Sequence, residues 1–200
     1  MNTKYELLAN DTVTSWDGRK LFRIKALVAI GIAVAAGDLG GYVEGEGNLA
    51  VSGDAWVYGN ARVYGDAWVS GNAQVSGNAR VYGNARVYGN AWVYGDAWVY
   101  GDARVSGNAW VYGNAQVYGD ARVSPLVITG LEYPITVDDT HMTVGCQSHR
   151  LAAWSGFDPD RIARMDGERS RRFFSTYGET IRALVVASGR LSAPPTGGAE

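Results

Sequence analysis

Three side chains near the C-terminus have the types and spacing that could bind a metal ion. His141, Cys146 and His149 follow the pattern His-x4-Cys-x2-His, and Asp138 or Asp139 could supply a fourth ligand. Imidazole and thiolate are ligands that zinc prefers. The competing interpretation is structural: a free cysteine often packs as a small hydrophobic residue, and His149 would then lie near the start of a helix. We favour the structural interpretation, so the sequence predicts no metal ion and no cofactor.

An internal repeat predicts the secondary structure on which functional side chains would be placed. From Gly47 to Ser124 one six-residue unit occurs thirteen times without insertion: Gly, Asn or Asp, Ala, a variable residue, Val, and Tyr or Ser. Such strict self-similarity over 78 residues is typical of a solenoid, because each position of a globular core has different neighbours. The repeat therefore predicts a solenoid for residues 47–124.

The residue types of the unit predict short strands joined by corners. Position three is Ala in twelve units, and position five is Val in all thirteen, from Val51 to Val123. Positions three and five face the same side of a strand, so the interior would be narrow and made of Ala and Val. The variable residue between them would face solvent. Gly with Asn or Asp tolerates the backbone of a tight corner.

Written from its Val, the unit reads Val-Tyr-Gly-Asn-Ala-Arg, as in residues 81–86. It resembles the hexapeptide repeat of left-handed parallel β-helices, in which three hexads form one triangular coil. The resemblance implies a mainly β fold, a left-handed parallel β-helix of about four and a third coils, roughly 21 Å tall. A small α+β unit would follow it.

Three hexads per coil would align residues 18 apart in columns on the outer surface. The first column holds tyrosines whose rings would stack at the coil spacing. The second holds tryptophans beside Tyr58, Tyr94 and Tyr112, and the third is rich in arginine. The candidate binding residues are Tyr64, Tyr82, Tyr100 and Tyr118 in the first column, Trp56, Trp92 and Trp110 in the second, and Trp68, Arg86, Arg104 and Arg122 in the third.

Two interpretations of these columns stay open. Identical neighbours on adjacent coils can simply stabilise the solenoid, and a repeat that grew by duplication would produce them. Alternatively, the tryptophan column is a docking surface for a protein, a carbohydrate or another copy of the chain, and the arginine column binds a small anion. Asp66, Asp102 and Asp120 lie in hexads of the arginine column, so neutralisation within the protein is the first expectation.

The segments before the repeat predict a cap. Residues 1–19 are polar and carry turn formers, so we expect a loose lead-in. Residues 20–46 would form a β cap over the open end of the solenoid, where backbone groups lack partners. Within them the uncharged run 26–36 is too short to span a membrane. We interpret that run as a buried strand pair.

The segment after the repeat, residues 125–188, predicts a hairpin and helices. Strand-like alternation surrounds Asp138 and Asp139 and predicts a hairpin. Asp158 and Pro159 predict the N-cap and the first position of a helix. Apolar residues at intervals of three and four predict a second, amphipathic helix over about 168–188, weakened at Gly178. Gly189 would end this helix, and residues 189–200 are predicted to be a disordered tail.

The predicted C-terminal helix carries more apolar surface than one hairpin can cover. The open end of the solenoid also needs a lid. We therefore expect residues 125–188 to cap the solenoid and to contribute to a homo-oligomer, with a trimer favoured because closed cyclic assemblies leave no free edge.

The flanking segments resemble those of uncharacterised bacterial and prophage proteins that contain hexapeptide repeats. The resemblance rests on residues 21–24 and 37–44 before the repeat, and on residues 143–149 with Trp154 after it. It implies an architecture and a phage or prophage origin. It implies little about the task, because few of those relatives have an assigned role.

Many hexapeptide-repeat proteins are acyltransferases that use coenzyme A and a histidine base on a loop within the repeat. Here the thirteen hexads contain neither a loop nor a histidine. The catalytic arrangement of those enzymes therefore has no matching positions in this chain.

Composition excludes some partners. Lys and Arg number 18 against 20 Asp and Glu, a balance that does not favour nucleic acid or an anionic membrane surface. The single cysteine excludes an internal disulfide and suits the cytoplasm.

The leading hypothesis is a non-catalytic rigid scaffold or binding protein that presents its columns to a protein partner or to itself. The alternatives are a small-ligand or anti-defence binder that uses the arginine column, and an acyltransferase that uses coenzyme A.

Overall fold

The computed structural model describes residues 2–119, 125–154, 157 and 159–191. Three N-terminal strands precede a solenoid of two-residue strands, and further strands and helices follow it. The N-terminal strands are β1 (Tyr5–Thr14), β2 (Lys20–Ala26) and β3 (Leu39–Val43). The solenoid strands are β4 (Trp56–Val57), β5 (Arg62–Val63), β6 (Trp68–Val69), β7 (Gln74–Val75), β8 (Arg80–Val81), β9 (Arg86–Val87), β10 (Trp92–Val93), β11 (Trp98–Val99), β12 (Arg104–Val105), β13 (Trp110–Val111) and β14 (Gln116–Val117). The C-terminal elements are β15 (Leu126–Ile128), β16 (Ile135–Val137), β17 (His141–Val144), β18 (Gln147–Arg150), α1 (Leu151–Trp154) and α2 (Pro159–Ala187).

The solenoid strands pair in parallel with the strand three hexads away. Trp92 is opposite Trp110, Trp98 is opposite Gln116 and Arg86 is opposite Arg104. The pairing builds three faces: the tryptophan face (β4, β7, β10 and β13), the arginine face (β6, β9 and β12) and the mixed face (β5, β8, β11 and β14), which the N-terminal strands extend. The predicted fold class is confirmed as mainly β, with a parallel β-solenoid of about four turns and a small C-terminal region of helix and strand.

The interior is built from the two inward positions of each hexad. The Ala and Val residues from Ala55 to Val117 are buried, and together they form one continuous core. Because both side chains are small, opposite walls of the solenoid lie close together and every coil presents the same width. The alternation that predicted this core is therefore the feature that sets the cross-section.

Glycine is required at the corners. Gly83 has φ +70°, and a Cβ added there would lie 3.1 Å from the backbone nitrogen of Gly101 on the next coil. A side chain at this position would therefore be strained in φ and crowded by the neighbouring corner. None of the Asn and Asp residues that follow the corner glycines within the described residues has a positive φ. The corner conformation is carried by glycine alone.

The first hexad departs from the repeat. Residues Glu46–Asn48 form a 3-10 helix, and Leu49 takes the inward place opposite Val69. Val51, predicted to face inward, is 44% exposed. The cause is a contact with the next coil: the amide of Asn48 donates to the carbonyl oxygens of Gly65 and Ala67, both at 2.9 Å. This contact places Leu49 at the inward position that the repeat assigns to Val51. The last predicted inward valine, Val123, lies outside the described residues.

The N-terminal segment differs from the expectation of a loose lead-in. Most of residues 1–19 lie in β1, which pairs antiparallel with β2, and β2 pairs with β3, which joins the mixed face beside β5. The segment gains order because this antiparallel sheet supplies its hydrogen bonds. Residues 20–46 do lie at the end of the solenoid, and β1 shares that position.

The apolar run 26–36 is not a buried strand pair. Its turn is closed by a single bridge between Ile30 and Val34, the two members that are buried beside Ala26. Leu27 is 44% exposed and Ile32 is fully exposed. The run is a surface loop because only every fourth residue reaches the core. No helix in the described part of the chain is long and apolar enough to cross a membrane.

The C-terminal sheet contains the predicted hairpin and two further strands, β15 and β18. Strands β16 and β17 pair antiparallel with Val137 opposite Met142, and β18 adds a strand that the sequence did not predict. One face of the sheet carries Ile135, Val137 and Met142 against α2, whereas Val127 on the other face packs on the solenoid core. The sheet therefore lies between the solenoid and the helix.

Helix α2 begins at Pro159, as predicted for the first helix, and continues through the predicted second helix, but it bends at a different residue than predicted. The kink lies at Asp166 and Gly167, where Gly167 has φ +79°, and not at Gly178, which is regular helix. Gly189, with φ +73°, follows the helix and donates to the carbonyl oxygen of Val186, as the sequence predicted. Residues 192–200, most of the predicted tail, lie outside the described residues, as does the predicted N-cap Asp158.

The C-terminal sheet covers the apolar face of α2 that was expected to support self-association. Phe173, Ile181 and Val185 are buried, while Leu184 remains 45% exposed. Four strands cover more of the helix than one hairpin would. The apolar face of α2 is therefore largely satisfied within the chain, so any self-association needs another surface.

Candidate functional site

His141, Cys146 and His149, the candidate metal ligands, do not lie together. His149 is opposite Met142 in the register of β17 and β18, whereas His141 is opposite Arg150, so the two imidazoles lie on opposite faces of the sheet. Cys146 is exposed in the turn between the strands, which corrects the expectation that it is buried. In the described residues no group of three or more His, Cys, Asp or Glu side chains could hold a metal ion.

The two histidines have structural contacts. His149 contacts the rings of Trp154 and Phe157, and burial lowers the pKa of His149, with a smaller effect from the charge of Arg161. His149 lies in β18, just before α1 begins at Leu151, so it does lie near the start of a helix, as the structural interpretation expected. His141 lies 5.1 Å from the ring centre of Tyr118, at the last described coil of the solenoid.

The C-terminal sheet contacts the solenoid through polar groups as well as aromatic rings. The hydroxyl of Tyr118 donates to the Ser148 hydroxyl, which lies 2.8 Å from the hydroxyl of Thr143. The buried carboxylate of Asp138 accepts from the backbone nitrogens of Thr140 and His141 at 2.7 and 2.6 Å. The bond between Tyr118 and Ser148 thus joins the solenoid to the C-terminal sheet, and Asp138 stabilises the turn of the hairpin.

The predicted tyrosine column is present and stacked. The rings of Tyr64, Tyr82, Tyr100 and Tyr118 are parallel within 10°, with centres 5.1 to 5.2 Å apart. Burial raises the pKa of Tyr82 and Tyr100 to about 12, with smaller contributions from Tyr64 at Tyr82 and from Tyr82 and Tyr118 at Tyr100. Since the ring faces are occupied by each other, this column offers edges to solvent and no flat face on which a sugar could stack.

The tryptophan column divides into a buried end and an exposed end. Trp56, predicted to face solvent, is fully buried, because the ring of Tyr5 on β1 packs against its edge at 6.3 Å. Trp92 and Trp110 are 40% and 53% exposed, and their rings stack at 5.4 Å. Only the later coils therefore present tryptophan.

Tyrosines extend the exposed end into a patch. Tyr94 stacks on Tyr112 at 5.5 Å and meets the ring of Trp110 edge-on at 6.3 Å. We call Trp92, Tyr94, Trp110 and Tyr112 the aromatic patch. The strand positions of the tryptophan face carry no charged residue.

The arginine column is in register and exposed. Arg86 and Arg104 lie side by side on adjacent coils below Trp68, while Arg122 lies outside the described residues. The expected internal neutralisation is absent: between residues 2 and 119, no ion pair joins these arginines to Asp66 or Asp102. Asp102 instead accepts from the Asn84 amide at 2.8 Å. The corner amides form their own ladder along the solenoid and do not neutralise the arginines.

Two features were missed by the sequence analysis. The first is Lys4, whose buried ammonium group contacts three backbone carbonyl oxygens at the start of the solenoid. No sequence signal marks this residue. The second is the column on the mixed face, Arg62, Arg80, Trp98 and Gln116, which the same count of 18 residues would have found.

The comparisons with known proteins concern the solenoid. The family model described as YdcK Beta solenoid repeat matches residues 55–71, 73–85, 79–95, 85–101, 97–113 and 115–125. Every matched segment begins at the Ala of a hexad, in phase with the strands. No curated protein matches the chain. Within the solenoid the chain is thus similar to the YdcK beta-solenoid repeat, and its N-terminal strands and C-terminal unit lie outside the matched segments.

Proposed function

We propose that this protein is a non-catalytic scaffold, a rigid solenoid whose aromatic patch packs against further copies of the same chain. The observation that carries the proposal is the exposure of Trp92 and Trp110, stacked side by side on a face without charged strand residues. Interfaces are enriched in Trp and Tyr and depleted of charge at their centre.

A second copy suits the aromatic patch better than it suits the other faces. The arginine face would bring Arg86 and Arg104 against like charges in an identical partner, which is unfavourable. The aromatic patch is neutral, so copies can approach it without repulsion. The favoured assembly is a closed trimer, because cyclic closure leaves no aromatic surface free.

Stacking within the patch argues against carbohydrate as the occupant. Sugars bind to the flat faces of aromatic rings, and the faces of Trp92 and Trp110 that meet are already covered by each other. The patch presents ring edges and adjoining tyrosines, a surface that fits side chains of another protein.

We also propose a phage or prophage origin and a cytoplasmic location, which rest on the resemblance of the flanking segments and on the single cysteine.

The acyltransferase alternative has little support among the described residues. His141 packs on Tyr118 and His149 lies between Trp154 and Phe157, so neither imidazole faces a cleft on the solenoid. The alternative of a small-ligand binder has support on another face, described below.

The test is the mass in solution, by light scattering, of the wild type and two variants. We expect the wild type at three times 21.4 kDa, and the double variant W92S/W110S as a monomer. The control is Y88S, which removes an aromatic side chain 38% exposed on the arginine face and should leave the trimer intact. A monomeric wild type, or an unchanged mass for W92S/W110S, would refute the proposal.

A further inference from the structure

One row of side chains crosses the mixed face from the N-terminal strands to the solenoid. Arg23 is opposite Tyr42, Tyr42 is opposite Arg62, and Arg62 is opposite Arg80. Trp98 follows in the same register. Residues directly opposite each other share one face of a sheet, so three guanidinium groups lie in line on this surface.

The first guanidinium is neutralised and the other two are not. Arg23 pairs with Asp11 at 2.6 Å and lies over the ring of Tyr42. Over the described ranges, no ion pair forms at Arg62 or Arg80. Arg80 lies over the ring of Trp98 at 4.8 Å, and Arg62 makes a long contact of 3.4 Å to the carbonyl oxygen of Thr14.

Two arginines directly opposite each other are unfavourable in a sheet, because like charges at this spacing repel. The fold does not require arginine at this position of the hexad, since Gln occupies it in two other hexads. Both side chains are half-buried, so solvent screens them less than it screens fully exposed groups.

The two free guanidinium groups line a groove of about 320 Å³. Its walls are Val13 and Tyr42 from the N-terminal strands, and Asn60, Asn78 and Asp96 from one corner column, together with Arg62 and Arg80. Asp96 accepts a hydrogen bond from the Asn78 amide at 3.0 Å. The groove thus combines two cationic forks with amide and carboxylate groups at one rim.

We propose that this groove binds a phosphorylated small molecule, a sugar monophosphate in chemical class. A phosphoryl group has oxygens enough to accept from both guanidinium forks at once, as Arg–phosphate pairs do elsewhere. The Asn60 amide and the free carboxylate oxygen of Asp96 lie at the rim to meet sugar hydroxyls.

The groove suits a small ligand better than a nucleic acid. Asp96 cancels part of the positive charge of the two arginines, and the volume fits one small molecule. A polyanion would need an extended cationic track. The inference is independent of the proposed self-association, which uses the tryptophan face.

The experiment is calorimetric titration of the full-length protein, in buffer free of phosphate and sulfate, with glucose 6-phosphate, glucose and inorganic phosphate. The variant is R62Q/R80Q. The matched control is R86Q/R104Q, which removes the same two charges from adjacent coils of the arginine face. We expect wild type and R86Q/R104Q to bind glucose 6-phosphate alike, R62Q/R80Q to bind it roughly tenfold more weakly or not at all, and glucose not to bind.

Three results would overturn the inference. The first is absence of glucose 6-phosphate binding by the wild type. The second is equal weakening in both double variants, which would indicate general charge attraction. The third is unchanged binding in R62Q/R80Q. Unchanged thermal unfolding of R62Q/R80Q relative to R86Q/R104Q would show that lost binding is not lost folding, and R62K/R80K should bind with intermediate affinity because lysine keeps the charge without the fork.

Discussion

The ammonium nitrogen of Lys4 lies 2.7 Å from the carbonyl oxygen of Ala55, the residue that enters the first strand of the solenoid. The same ammonium group donates to the carbonyl oxygens of Ala50 and Gly53 at 3.0 and 2.9 Å. Lys4 is 4% exposed, and burial lowers its pKa, which the charge of Asp54 partly opposes. One side chain thereby satisfies three backbone groups at the open end of the repeat.

Replacing Lys4 with Met should destabilise the protein strongly. The variant keeps the aliphatic stem but leaves three carbonyl oxygens without their charged donor, and we expect a loss of about 2–4 kcal/mol in the free energy of unfolding. Urea denaturation would measure it. Lys20→Met, at an exposed lysine on β2, is the control and should change stability by less than about 0.5 kcal/mol. Equal stability of the two variants would show that the carbonyl contacts of Lys4 contribute nothing.

A single methyl group at a corner should be costly. Gly83→Ala forces a Cβ onto a residue with φ +70° and to within 3.1 Å of Gly101, and we expect a loss of about 2 kcal/mol. Gly47→Ala is the matched control, because its Cβ would meet no atom within 4 Å. Thermal and urea unfolding of both variants check the difference. A Gly83→Ala protein as stable as the control would mean that the corners can repack.

The stacked tyrosines should stabilise more than an isolated one. Tyr82 stacks between Tyr64 and Tyr100 and meets Trp98 edge-on. We expect Tyr82→Ala to lower the free energy of unfolding by about 3 kcal/mol. Tyr88→Ala, at the same hexad position on another face but 38% exposed, should cost less than about 1 kcal/mol. The prediction fails if the two substitutions have similar effects in urea denaturation.

Stability should fall in strong alkali. Desolvation raises the pKa of Tyr5, Tyr82 and Tyr100 to about 12, above the ordinary value of about 10. Because each pKa is raised in the folded state, the contribution to stability is complete below about pH 10 and is lost as the pH rises to about 12. Phenolate absorbance should show these rings ionising later than in urea-unfolded protein. If all tyrosines of the folded chain ionised near pH 10, the stacked column would be open to solvent.

Removing the C-terminal unit should expose the end of the solenoid. Deletion of residues 125–200 takes away Val127, which packs on the solenoid core, and the Ser148 partner of Tyr118. The bare coil edge would present unpaired backbone groups, so we expect the truncated protein to aggregate or polymerise. Light scattering would detect this. A truncated protein that kept the oligomeric state of the full chain and remained monodisperse would contradict the capping role of the sheet.

The repeat by itself determined the parallel solenoid and the placement of its outer columns. Tyr82 and Tyr100 are 18 residues apart in sequence and stacked in space, because three hexads close one coil and every coil repeats the last. In such an architecture the residue on the adjacent coil is always the one 18 positions away in the sequence. The Ala and Val core and the glycine corners follow from the same local periodicity.

Only the tertiary structure decided what happens where the repeat ends. Trp56 is buried because Tyr5 covers it, and Val51 is exposed because Asn48 anchors the first coil early. The groove at Arg62 likewise depends on Val13 and Tyr42 from strands that carry no repeat. These contacts join the non-repeating N-terminal segment to coils that are distant in sequence, and no periodic signal in the chain encodes which strand meets which coil.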